Sequence, residues 1–288
     1  MTSYRAYWQM TKPTIGLLVV VTAVPTLFMA GAGFPGWGIV FAALVGTYLA
    51  SSSAGVFNHL VDSDIDSVMD RTNRRPLPSG KVNKAVAGGF AAVLGIVSFL
   101  LLYYFASPLA AIIAVLANVF YVVGYTIYLK RRTVQNIVIG GAAGAVGPLI
   151  GWSAVSGDLG WPAWILFLII FFWTPPHFWA LAIKYKDDYA RAKIPMLPSV
   201  KGDEVTRKNI LVYTLLLIPV VYSLYHYEFA GLTFVIASML FTLYFAFLAF
   251  RLFLSRKNKL AMPLFYYSCI YLFAIFGALT IDRLVILL

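Results

Sequence analysis

Runs of about 20 apolar residues recur from one end of the chain to the other, each long enough to cross roughly 30 Å of hydrocarbon. In that medium no water satisfies backbone N–H and C=O groups, so a crossing segment must be a helix or a strand of a closed barrel. Barrel strands alternate apolar and polar residues over about ten positions. These runs are continuously apolar, so the fold class is all-α, a polytopic membrane protein. Of 288 residues, 61% are hydrophobic and 11% charged, with a mean hydropathy of +0.84, which excludes a water-soluble enzyme. Hydropathy places nine spans at about 14–33, 37–61, 84–105, 108–129, 134–155, 161–183, 209–227, 229–250 and 264–286. They form one integral-membrane domain, 1–288.

Nine helices put successive connections on alternate sides of the bilayer. With the N-terminus inside, all 22 Lys and Arg residues except Arg283 fall on one side, the pattern of cytoplasmic loops. The orientation is N-in, C-out. The same tally accounts for the net charge of +11 without nucleic acid, and membrane lipid is the expected surrounding. Ala30-Gly31-Ala32 resembles a leader cleavage site, but the preceding apolar run is longer than a usual leader core and 31–37 carries no charge, so an anchor is expected. A single cysteine, Cys269, leaves no intramolecular disulfide or cysteine metal cluster.

Two cytoplasmic loops, 62–83 and 184–208, hold all the acids except Asp158, Glu228 and Asp282. Function is therefore expected on that face. The loops echo one another. Each opens with carboxylates and closes on a similar turn, Arg75-Pro76-Leu77-Pro78-Ser79 and Pro195-Met196-Leu197-Pro198-Ser199, as a duplicated four-helix unit would give.

Asn58, Asp62 and Asp66 are spaced four apart, so on a helix they drift only about 40° and rise about 6 Å per step. Three oxygen ligands then line one face at the end of the second span, with Asp64 turned elsewhere. Clustered carboxylates tend to take up protons unless a cation is present, and hard oxygen ligands favour Mg²⁺ completed by water and substrate phosphate. The other reading is a solvated helix end neutralised by Arg71, Arg74 and Arg75. Those arginines, and the cluster Lys130-Arg131-Arg132, equally suit a departing diphosphate, whose charge needs stabilising. For Arg131 and Arg132 a purely topological anchor remains open.

The stretch Asn58-x3-Asp62-x3-Asp66, then Asp70-Arg71-Thr72-x2-Arg75-Pro76-Leu77-Pro78-Ser79-Gly80, closely resembles the first aspartate-rich motif of the intramembrane aromatic prenyltransferases, the UbiA superfamily. Within it, four stretches resemble the heme-farnesylating branch. These are Thr11-Lys12-Pro13, the run from Tyr125 through Lys130 to Asn136-Ile137, Trp173-Thr174-Pro175-Pro176-His177-Phe178-Trp179, and Asp187-Asp188-Tyr189 with Ile194-Pro195-Met196-Leu197-Pro198. Two features depart from the superfamily pattern. His59 stands where many relatives have an acid, and the second Asp-x3-Asp is incomplete, since Asp188-x3 reaches Ala192.

The resemblance implies farnesyl transfer from farnesyl diphosphate to a vinyl group of heme b, with addition of water, giving heme O and diphosphate. Heme is then a substrate, not a cofactor, and a heme-processing or oxidase-assembly partner is conceivable. Mg²⁺ would be held by Asn58, Asp62, Asp66 and Asp188, with Arg75 and Lys130 as further catalytic groups. Lys184, four residues before Asp188, is expected to pair with it or with phosphate. The substrate-binding candidates are Arg71, His59, His177, Lys184, Tyr125 and Asn136. His177 follows a Pro-Pro pair expected to break the sixth helix beside a cavity; otherwise it is a packed histidine. His226 is read as interfacial. Two alternatives stand beside this: transfer to an aromatic quinone precursor, and a cation-coupled transporter, which would place its charges near the bilayer midplane.

Overall fold

The computed structural model describes residues 4–31, 33–255 and 257–287. Ala32 of the small-residue stretch and Arg256 of the cytoplasmic basic set lie outside the described residues. The elements are α1 (Tyr4–Met10), α2 (Pro13–Met29), α3 (Trp37–Val61), α4 (Ser63–Val68), α5 (Lys84–Phe105), α6 (Pro108–Val119), a π-helical segment Phe120–Leu129, α7 (Lys130–Arg132), α8 (Asn136–Gly144), α9 (Gly147–Ser156), α10 (Trp161–Lys184), α11 (Lys186–Arg191), α12 (Leu197–His226), α13 (Leu232–Ser255) and α14 (Ala261–Leu287). Among the described residues eight helices are long and apolar enough to cross a bilayer, and α1 with α2, bent by 47°, makes a ninth. The all-α polytopic class holds.

Details differ from the sequence reading for local reasons. The seventh span begins at Leu197 rather than near 209, because α12 starts on the Pro-Met-Leu-Pro turn and continues through a bend at Gly202 (φ 82°). Most of the presumed loop 184–208 is therefore helix. The 108–129 span widens into π-helical turns, and 134–155 is two helices joined at Ala145-Val146. The expected break in the sixth helix is absent. α10 runs unbroken through Pro175 and Pro176. Thr174 Oγ1 donates to the Ile170 carbonyl (2.8 Å), but proline has no N–H for the carbonyls of Phe171 and Phe172.

The helices form a ring in which each packs on its sequence neighbours, and α14 returns against α2 to close it. With lipid as apolar as the side chains, close packing and hydroxyl hydrogen bonds hold such pairs together. Ser53 and Ser98 donate to the carbonyls of Ala91 (2.8 Å) and Gly46 (2.7 Å), fastening α3 to α5. α9 approaches α2 through Gly147 and Gly151, one turn apart. A Cβ at these positions would lie 2.7 Å from the Val19 carbonyl oxygen and 2.5 Å from that of Ala23. Neither backbone can give way without moving α2, which carries the N-terminal end of the site described next. Gly147→Val and Gly151→Val are each expected to destabilise the protein by about 2 kcal/mol or more, read as a lower thermal midpoint in detergent; an unchanged midpoint would show that α2 and α9 do not depend on this contact.

Candidate active site

α3 ends at Val61, yet its hydrogen bonding continues. The Asp62 N–H donates to the Asn58 carbonyl (2.9 Å) and the Asp66 N–H to the Asp62 carbonyl (2.8 Å). The four-residue spacing is thus carried into α4, and Asn58, Asp62 and Asp66 are buried at 3%, 1% and 2% exposure. Asp64 points outward, where a hydrogen bond from Arg131 holds its carboxyl below the usual range.

Each buried carboxylate of this cluster has a resident cation. Lys130 Nζ lies 2.5 Å from Asp62 Oδ2, and Arg75 donates to both oxygens of Asp66 (2.9 and 2.8 Å). Arg191 bridges Asp188 and Asp70, and the Arg71 N–H donates to Asp188 Oδ2 (3.4 Å). The two acid-rich segments, far apart in sequence, therefore meet at Asp70, Asp188 and Arg191. Of the three arginines in the neutralised reading, only Arg75 places its side chain on a carboxylate; Arg71 spreads over the Tyr185 ring (5.6 Å). Lys184 does not pair with Asp188. α10 stops at Lys184 and α11 starts at Lys186, so the helical spacing between them is lost and the exposed Lys184 lies 5.8 Å from the Tyr185 ring centroid. Asp188 is buried and Asp187 exposed.

Tyr121, Thr126 and Lys130 come to the site from the π-helical segment and the residue that follows it. Its wider turns bond five residues apart. Thr126 Oγ1 donates to the Tyr121 carbonyl (2.9 Å) and accepts from Asn58 Nδ2 (3.1 Å), which also donates to Asp62 Oδ2 (2.8 Å). Tyr125 stacks on Tyr121 and sits so tightly over Gly140 that a Cβ there would fall 2.2 Å from its ring. Asn136 donates to the Thr133 (2.6 Å) and Pro195 (3.2 Å) carbonyls, tying α8 to the turn before α12, while its own side-chain oxygen is buried without a partner. His59 is buried, its Nδ1 also unpartnered.

Sequence reasoning passed over Lys12 as a site residue. It stands between α1 and α2 in the left-handed conformation (φ 51°, ψ 59°), which costs a non-glycine residue about 1 kcal/mol. That backbone directs Nζ onto Asn58 Oδ1 and over the Tyr121 ring (5.8 Å). A basic residue at a helix entry, immediately before proline, was the available signal. Beside Lys12 a cavity of about 100 Å³ runs into the bundle, lined by small residues such as Ala50, Ser51, Ala54, Ala117 and Gly144.

Among the described residues no three carboxylates or imidazoles converge into a ready-made metal cage. The donors nevertheless fit a hard divalent cation shared with substrate phosphate. They are oxygens, and Asp62 Oδ1 is buried with no hydrogen-bond partner.

Residues 18–275 match the UbiA prenyltransferase family, and the chain belongs to that family. The same fold is seen in a digeranylgeranylglyceryl phosphate synthase (TM-score 0.79, 18% identity, 98% of this chain and 99% of that one). It is also seen in a UbiA homolog from Archaeoglobus fulgidus bound to GPP and Mg²⁺ (TM-score 0.70, 17% identity, 96% and 99%). Among curated relatives, the protoheme IX farnesyltransferase of Gloeobacter violaceus is 47% identical over 96% of this chain and 92% of its own. That of Trichodesmium erythraeum is 45% identical (98% and 86%), and that of Alcanivorax borkumensis 44% (98% and 94%).

Breaking one partner of a buried ion pair leaves an uncompensated charge at a cost of about 3 kcal/mol. Arg75→Ala is therefore expected to lower the thermal midpoint, and Mg²⁺ with pyrophosphate to recover part of the loss by supplying a cation to Asp66. No recovery would show that Asp66 is not open to metal.

Proposed function

We propose that the chain transfers a farnesyl group from farnesyl diphosphate to a vinyl group of heme b, with addition of water, giving heme O and diphosphate. The observation that carries it is the buried row Asn58, Asp62 and Asp66, ringed by Lys12, Arg75 and Lys130, in a chain 47% identical to the protoheme IX farnesyltransferase of Gloeobacter violaceus. The acids gather at one face of the bundle, as a headgroup site requires, and the relatives' common name favours heme over a quinone precursor.

Mg²⁺ held by Asn58, Asp62, Asp66 and Asp188 would neutralise charge on the departing diphosphate. Lys130, Arg75 and Lys12 now occupy these ligands' oxygens and can turn to phosphate oxygens when a metal takes their place. Arg71 stands at the rim for the same anion. The small-residue cavity beside Lys12 takes the start of the farnesyl chain, with the stacked Tyr121 and Tyr125 rings presenting π faces near an allylic cation. The carbon–oxygen bond to diphosphate breaks, and the vinyl π electrons form the new carbon–carbon bond. Water then closes the resulting carbocation and releases a proton. No side-chain nucleophile enters, and exclusion of bulk water until the coupling is complete protects the cation.

In this reading the protein sits in the cell membrane with the site facing the cytoplasm. In a Cys269→Ala background, Asp158→Cys should react with a membrane-impermeant maleimide on intact cells, and Lys81→Cys and Lys201→Cys only after permeabilisation. The reverse pattern would invert the topology. For the reaction, detergent-purified protein incubated with heme b, farnesyl diphosphate and Mg²⁺ should yield a farnesyl-plus-water adduct of heme by mass spectrometry. Chelation should abolish it, and Asp62→Asn should reduce it by about a hundredfold or more, roughly 3 kcal/mol of transition-state stabilisation, with the fold intact. An adduct unaffected by chelator or by Asp62→Asn would remove the metal assignment.

A further inference from the structure

His177 is held in an unusual setting for a packed histidine. Its ring is sandwiched between Trp173 (centroids 4.4 Å, 21°) and Phe265 (4.6 Å, 27°), so both faces are covered and its plane is fixed. One edge is also fixed. His177 Nδ1 lies 2.7 Å from Ser268 Oγ. The Ser268 carbonyl accepts from Trp173 Nε1 (2.8 Å), so one residue of α14 locks two side chains of α10.

Counting protons settles the tautomer. A serine hydroxyl has one hydrogen, and that of Ser268 goes to the Phe265 carbonyl (2.6 Å). Toward His177, Ser268 Oγ can then only accept, so Nδ1 carries the proton and neutral His177 presents a bare lone pair at Nε2. That nitrogen has no hydrogen-bond partner among the described residues, it is not among the sealed buried polar atoms, and the residue as a whole is only half-buried. A ring clamped on both faces, with Nδ1–H donated to a fixed acceptor and Nε2 left open, is the arrangement by which proteins prepare histidine for a metal.

A relay of packed residues links the site to the helix turn before His177. Asn58 bonds Thr126, the neighbouring Tyr125 packs on Gly140, and a Cβ on the adjoining Gly141 would lie 3.0 Å from Thr174 Cγ2, one turn before His177. The other two histidines are placed differently. His59 lies within the carboxylate and cation cluster, and His226 is exposed at the C-terminal end of α12.

We infer that His177 Nε2 is the protein ligand to the iron of the heme substrate, with Ser268 as the positioning residue that sets its tautomer. This rests on the proposal that heme is the acceptor. Ligation through a fixed imidazole limits the tilt and rotation of the macrocycle and so presents a vinyl group in a constant place. The aromatic clamp keeps that imidazole from swinging away.

The test uses the full chain in detergent, titrated with heme b and examined by absorption and, after reduction, by resonance Raman spectroscopy. The wild type should show an iron–histidine stretching band. His177→Ala should lose the band and bind heme at least tenfold more weakly, and added imidazole should restore ligation, which also shows that the pocket is folded. Ser268→Ala should retain the band at a shifted frequency with affinity about tenfold lower, since such supporting partners are worth 10–100-fold. His226→Gln should change nothing. A wild-type spectrum and affinity in His177→Ala overturns the inference, as does a wild-type complex without a histidine ligand. The two levels separate cleanly. Farnesylated heme from a wild type whose spectrum ignores His177 removes the ligand assignment alone, and histidine-ligated heme that is never farnesylated removes the proposed reaction alone.

Discussion

Burial of carboxylates at the end of a membrane helix is the constraint on which the rest of the structure depends. An isolated charge is too costly in that environment, so each acid of this cluster requires a counter-charge held beside it. Asp62 draws Lys130 from the end of the π-helical segment, Asp66 draws Arg75 from the following turn, and Asp188 draws Arg191 within α11. Arg191 also reaches Asp70, so the same ion pairs that make burial tolerable join the two acid-rich segments. Lys12 closes the remaining side on Asn58.

The cations that stabilise the resting site are chemically the same groups that a diphosphate needs. In the proposed reaction a metal held by these acids would substitute one positive partner for another, and the freed Lys130 and Arg75 side chains would already stand beside the phosphate. The apolar side of the chemistry is separated from this charged rim. The cavity beside Lys12 is lined by small residues, and the aromatic clamp on His177 lies between α10 and α14. In the proposed reaction these would be different walls for the hydrocarbon chain and the macrocycle.

The sequence resolved most of the membrane architecture because the bilayer imposes a simple rule: a span must be apolar for about 20 residues. It was less informative where helices bend or widen. Nothing in Phe120–Leu129 advertises π-helical turns, and Pro175-Pro176 suggested a break that α10 does not have. The early start of α12 was hidden because Lys201, Asp203, Glu204, Arg207 and Lys208 suppress the hydropathy signal of its first turns. In the site, the shared face of Asn58, Asp62 and Asp66 was legible from spacing, and its reading as a metal site came from the family resemblance. The partner of Asp188 was misjudged because a helix end at Tyr185 cancels the periodicity used to infer it.

By itself, the sequence determined that this chain is a helical membrane protein with an oxygen-rich, phosphate-suited site at one face, because hydropathy and four-residue spacing are local properties that survive without knowledge of contacts. Only the tertiary structure decided which cation serves which carboxylate, that Lys12 reaches Asn58, and that His177 meets Ser268. Several of those outcomes turn on groups far apart in sequence, such as Lys12 with Asn58 (46 residues) and Arg191 with Asp70 (121), and on backbone approaches such as Gly147 against α2. Distance in sequence carries no information about such meetings; close packing in the ring of helices creates them.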